Sequence, residues 1–176
     1  AFPNTDMGDP QYQAQFGIKT RPSVFKPIHC AVNRSDMILE TAQIVTETAS
    51  MPHSEWRRTW KFAWLMMTLQ SLNASSYVLH FLRRHLDIPF TAFIRFLVDD
   101  APDINATSLV AKELEEYDKR LDKIYSGAGW GVEYADYGDI YWFTEDCSFF
   151  RIAADKDRFF RELEELLIKF LVGREI

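Results

Sequence analysis

The stretch SEWRRTWKFAWLMMTLQS, residues 54–71, decides the fold. Trp56, Trp60 and Trp64 recur every fourth residue, a spacing that puts three indoles on one face of a helix. Ala63 and Met67 flank that face, and Phe62, Leu65, Met66 and Leu69 make the second half apolar almost all round. A helix with so little polar surface has to be covered by its neighbours. Only Arg57, Arg58 and Lys61 form a polar strip. The indole stripe could hold a flat cofactor or a sugar, but rings at helical spacing are read first as core.

Upstream, residues 41–48 concentrate β-branched side chains (Thr41, Ile44, Val45, Thr46, Thr48), which predicts a strand over 42–49 that ends at Pro52. Residues 1–33 hold Pro3, Pro10, Pro22 and Pro27 and are expected to be extended, with one short turn at 10–16. Downstream, Asn73 to Ser76 break the central helix. Further helices are predicted at 76–86, burying Tyr77, Val78, Phe81 and Leu82, and from Phe90 to near Asp100. Another runs over 107–125, with a single apolar seam of Val110, Leu114, Tyr117, Leu121 and Ile124. In 129–152 the tryptophans, tyrosines and phenylalanines either side of Glu145-Asp146 predict a β-hairpin near 139–152, with a third strand at 130–134. A last helix spans 156–172, with Asp155 as its cap. The expected class is α+β and predominantly α: about five helices around the Trp-rich one, with a small antiparallel hairpin or sheet. Residues 1–33 are expected to form a leader that leaves an upstream domain, and 34–176 a single helical domain. Trp60, Trp64, Met67, Phe81, Phe93, Leu114, Leu121, Phe159, Leu163 and Phe170 make up the expected core.

Composition narrows the function classes. The 176 residues carry a net charge of −6, with 20 Lys and Arg against 26 Asp and Glu, which argues against a nucleic-acid partner. No apolar run is long enough for a transmembrane segment, and the expected location is cytoplasmic. The two cysteines, Cys30 and Cys147, lack CxxC spacing and alone cannot build a zinc or iron–sulfur site, so no metal is expected in this chain. His80 and His85 stand five apart and do not share a helical face closely. No Gly-rich phosphate loop, GxSxG or HExxH is present, and no catalytic residue is assigned. The acidic run Glu162, Glu164 and Glu165 reads as a solvated helix face. Two functional readings stand on the residues themselves. One is a small-molecule hydrolase or ligand-binding domain using Cys147 with a distant His. The other is a helical protein-interaction adaptor, whose sign is an exposed apolar patch.

Three ordered segments also carry a resemblance. In FPNTDMGDPQYQAQFGIKT (residues 2–20) there is a Pro-Asn turn, an M-x-D-P-x-Y step from Met7 to Tyr12, and an F-G-I-x-T step from Phe16 to Thr20. IVTETASMPHSEWRRTWKFAWLMMTLQSLNASS (residues 44–76) and GWGVEYADYGDIYWFTEDCSFFRI (residues 129–152) follow in the same order. Together they resemble the region after the barrel in cobalamin-binding radical S-adenosylmethionine proteins, a group of Fe–S oxidoreductases. The chain departs from that family in lacking CxxxCxxC and any DxHxxG, and in having Asn73 where a His is common. The resemblance implies a non-catalytic C-terminal accessory domain that covers the barrel or helps bind substrate or a partner. The parent's cofactors would be S-adenosylmethionine, a [4Fe–4S] cluster and cobalamin, held by upstream domains of the same polypeptide. In this reading Trp130, Tyr134, Tyr137, Tyr141, Glu145 and Cys147 face the substrate or those domains.

Overall fold

The computed structural model describes residues 1, 4–32 and 38–174. Among them are eight α-helices and two small antiparallel ladders of two strands each, so the fold is α+β and mostly α. Contacts divide the chain into two compact units: Ala1–Trp60 with Asp118–Thr144, and Lys61–Tyr117 with Glu145–Ile176. The expected boundary at residues 33 and 34 lies outside the described residues.

In the first unit the leader is more regular than its prolines suggest. Asp9 caps helix α1 (Pro10–Phe16) by accepting from Gln11 N at 2.7 Å and Tyr12 N at 3.1 Å, with Pro10 in the first turn where its missing N–H costs nothing. Gly17 ends the helix at φ 60°, a conformation that glycine adopts without strain. Strand β1 (Lys19–Val24) then pairs antiparallel with β2 (Thr41–Glu47), Thr20 opposite Val45 and Val24 opposite Thr41. Pro22 is tolerated because a two-stranded ladder leaves each strand an open edge. Helix α2 (His53–Met66) begins here and buries Trp56. Arg57 ties it to helix α6 (Leu109–Tyr125) through Asp118 at 2.9 Å and Asp122 at 2.5 Å. Strands β3 (Val132–Glu133) and β4 (Tyr141–Trp142) form the second ladder.

In the second unit α2 continues into a π-helical turn, Met67–Ser71, where Leu72 N donates to Met67 O at 2.9 Å. Thr68 and Leu69 stand four residues on from Trp64 and Leu65 and share their buried face. Met67 is left 41% exposed, although the even 3.6-residue spacing places it in the core. Asn73, at φ 62°, reverses the chain into helix α3 (Ser76–His85). Val78, Leu79 and Leu82 of α3 are buried, whereas Tyr77 and Phe81 are 61% and 49% exposed, contrary to expectation. The helix has apolar residues on two faces and can bury only one against its neighbours. Helices α4 (Phe90–Asp99), α5 (Ala101–Ile104) and the first half of α6 follow. The Phe170 ring packs on Phe93 and Phe96 at 5.1 and 5.2 Å between centroids. Of the expected core, Trp64, Phe93, Leu114, Leu121, Phe159, Leu163 and Phe170 are buried, while Trp60 is half-buried.

The expected hairpin near 139–152 is not formed. Its first half is β4, but the partner of β4 is β3, and residues Thr144–Ala154 are helix α7. Glu145 and Asp146 stand in the first turn of α7, where carboxylates favour a helix start through the exposed N–H groups. The same acidic pair read alone suggests a β-turn. Helix α8 (Lys156–Val172) has the expected bounds, although Asp155 at its N-cap position makes no capping bond.

Candidate functional site

The second unit contains a connected group of buried polar side chains, and it begins at the π turn. Thr68 donates to Trp64 O at 2.9 Å, which satisfies its hydroxyl inside an apolar helix. That hydroxyl lies 3.3 Å from Tyr117 Oη on α6, and Tyr117 Oη lies 2.7 Å from Ser148 Oγ on α7. Ser148 donates to Glu113 Oε2. A carboxylate can only accept, so the Ser148 proton points to Glu113 and Tyr117 donates to Ser148. Arg151 closes the chain with a bidentate contact, Nε to Glu113 Oε1 at 2.7 Å and Nη2 to Oε2 at 2.6 Å. Thr68, Tyr117 and Ser148 are fully buried and the Glu113 side chain is 5% exposed.

Electrostatics follow from this burial. Burial raises the Tyr117 phenol well above its ordinary range, and the Glu113 charge adds to the effect, so Tyr117 remains a hydrogen-bond donor. Burial lowers the basicity of Arg151, but hydrogen bonds and charge from Glu113 outweigh it and the group is raised overall. Glu145 is 4% exposed and different: burial raises its pKa, its own backbone N–H partly offsets this, and Asp146 raises it further. Its Oε2 has no hydrogen-bond partner among the described residues. The group can hold protons in fixed positions and lock α6 and α7 in register. Its buried oxygens give a dissolved substrate no point of attack.

Of the residues expected to face a substrate or partner, Trp130, Tyr134, Tyr137 and Tyr141 belong to the first unit, and Glu145 and Cys147 to the second. Trp130 packs on Trp60 at 4.4 Å, in a loop shaped by glycines. Gly129 has φ 80°, and a Cβ there would collide with the Val24 carbonyl. Arg120 donates to the carbonyls of Gly129 and Gly131, the latter at 2.8 Å. Tyr134 and Tyr137 pack together at 5.3 Å, and Tyr137 is 45% exposed. Tyr134 also lines a cavity of about 360 Å³ with Glu133 and Asp139. Tyr141, Glu145 and Cys147 are buried at 2%, 4% and 1% exposure and present no outward face. Burial removes the accessible thiol that a Cys147 nucleophile needs. Glu113, Thr68 and Arg151 had no signal in the sequence as a group, because three separate helices bring them together.

No family model matches the chain. The chain is similar to part of a cobalamin-dependent radical SAM methyltransferase, TokK of Streptomyces tokunonensis. It is 28% identical to that protein over 181 aligned residues, covering 94% of this chain and 26% of the relative. The chain thus spans about a quarter of the length of the curated relative it matches.

The residues present do not fit a [4Fe–4S] cluster of their own. Such a cluster takes thiolates close together, and the two thiols here are an exposed Cys30 and a buried Cys147 in separate units. Among the described residues no three His, Cys, Asp or Glu side chains are placed to hold a metal ion. None of the described helices is long and apolar enough to cross a membrane.

Proposed function

We propose that this chain is a C-terminal accessory domain of a cobalamin-dependent radical S-adenosylmethionine enzyme and carries no catalytic centre of its own. The observation that supports this is the similarity to TokK, which takes in 94% of the chain in one alignment. The order of the three sequence segments from Phe2 to Ile152 points the same way. In this reading S-adenosylmethionine, the [4Fe–4S] cluster and cobalamin are held by other domains of the same cytoplasmic polypeptide. This domain covers the barrel or adds to substrate or partner binding.

The polar network supports a positioning role. A domain that covers a reaction has to hold its shape, and Glu113, Ser148, Tyr117 and Arg151 tie two helices, α6 and α7, with fully used hydrogen bonds. In the first unit, Trp130, Tyr134 and Tyr137 supply the accessible aromatic surface for such contacts. The test is to purify anaerobically the full polypeptide that contains this chain, with and without residues 1–176. The reading expects both forms to carry an iron–sulfur absorption band and bound cobalamin, and both to cleave S-adenosylmethionine. Only the complete form should turn over substrate. Absence of the cluster from the full polypeptide overturns the proposal, and so does S-adenosylmethionine cleavage by the isolated 176 residues.

A further inference from the structure

Helix α3 has two faces of contrasting character. Val78, Leu79 and Leu82 are buried, while Tyr77, His80, Phe81, Arg84 and His85 lie on the opposite, exposed face. Their spacing, three or four residues apart, makes this one continuous stripe along the helix. Tyr77 is 61% exposed and Phe81 49%, an unusual cost for two large rings when several apolar neighbours of α3 are fully covered. Phe160 of α8, itself 37% exposed, extends the surface with its ring 6.1 Å from that of Tyr77. Phe81 in turn packs on His85 at 5.2 Å.

The charge on the α3 side of these rings is one-sided. Helix α3 contains no carboxylate, and the nearest following one, Asp87, is occupied by Arg83 at 2.6 Å. Arg84 makes no ion pair among the described residues. On the α8 side Asp157, Arg161 and Glu164 are mixed in sign. In a chain whose net charge is −6, α3 is therefore a local cationic and aromatic stripe.

We propose that the Tyr77–Phe81–Phe160 surface is a docking site for an amphipathic helix of a partner polypeptide, apolar on one face and flanked there by carboxylates. The rings would pack on its apolar face, and Arg84 would meet a flanking carboxylate. A second copy of this chain is a poor occupant, because a two-fold contact would set Arg84 and its neighbours against their own images. A nucleic acid is a poor one too, since a single unpaired arginine in an acidic chain neutralises too few phosphates. The inference goes beyond the proposed parent reaction and needs no cofactor.

The test follows amide shifts in isotope-labelled chain titrated with a designed amphipathic helical peptide that carries leucines on one face and glutamates flanking them. Expected are saturable shifts centred on Tyr77, Phe81, Arg84 and Phe160, and none with the lysine counterpart of the peptide. Tyr77→Ser with Phe81→Ser should weaken binding by about 30-fold, as loss of a hot-spot pair does. Arg84→Glu should weaken it by about fivefold at low salt. All three positions are exposed, so unchanged melting of the variants shows that the fold is kept. Several results overturn the proposal. These are shifts that ignore the serine variants, no binding of the acidic peptide, concentration-dependent shifts of the chain alone, or preferential binding to phosphatidylserine vesicles. None of these bears on whether the full polypeptide carries a cluster and cobalamin, so the two readings fail separately.

Discussion

Glu113 and Glu145 are both buried glutamates, and their surroundings give them opposite roles. Glu113 receives a bidentate guanidinium and a serine hydroxyl, so every lone pair that matters is used. Removing Arg151 strands that carboxylate, and Arg151→Ala should cost about 3 kcal/mol. In a double-mutant cycle Glu113→Gln with Arg151→Met should cost clearly less than the sum of the single changes, as read by urea unfolding. Additive costs would mean that the pair is not coupled. Glu145 is the reverse case, a carboxyl with one oxygen unsatisfied and a pKa raised above the ordinary 4.5. A raised acid binds its proton more tightly when folded, so its contribution to stability is whole below 4.5 and is lost as pH rises through the folded value. Glu145→Gln should therefore melt above the parent at neutral pH, with the difference shrinking as pH falls toward 4.5. A gap that stays constant across that range would sink the assignment.

Helix α2 shows how one element serves two environments. Trp64 is 3% exposed and packs against Tyr117 at 5.4 Å, whereas Trp60 is half-buried against Trp130 at 4.4 Å. Truncating a buried indole costs about 3–5 kcal/mol, and a half-buried one about half as much. Trp64→Ala should accordingly lower the melting temperature about twice as far as Trp60→Ala, and equal effects would contradict the burial seen here. The sequence carried this helix well, since its four-residue repeat is a local property. The surroundings of the π turn were not legible, because the groups around Thr68 there, Tyr117 at 3.3 Å and the Glu145 carbonyl at 3.4 Å, come from far along the chain. The start of α7 is ambiguous in sequence for a related reason. Thr144-Glu145-Asp146 can open a turn or a helix, and β4, paired with β3 on one edge and bonded to residues 29–31 on the other, has no edge left for a hairpin partner.

At the scale of the whole molecule, the two contact units differ in how much apolar core they hold. Among the described residues, Trp56, Leu121, Ile124 and Tyr141 are the buried apolar side chains of the first unit, and the rest belong to the second. Local opening needs less free energy where fewer apolar contacts must break. Hydrogen exchange should show amides of Leu79, Leu97 and Leu163 protected to the global limit, with those of β1 and β2 exchanging faster. Equal protection in both would argue against the division. Helix positions, the mixed α+β class and most of the core were legible because they rest on spacing, caps and propensity along a few turns of chain. Tertiary structure alone decided which face of α3 meets solvent, which strand β4 pairs with, and which polar groups meet around Glu113. Those choices join residues tens of positions apart, and a pattern read along one chain contains no term for contact between them.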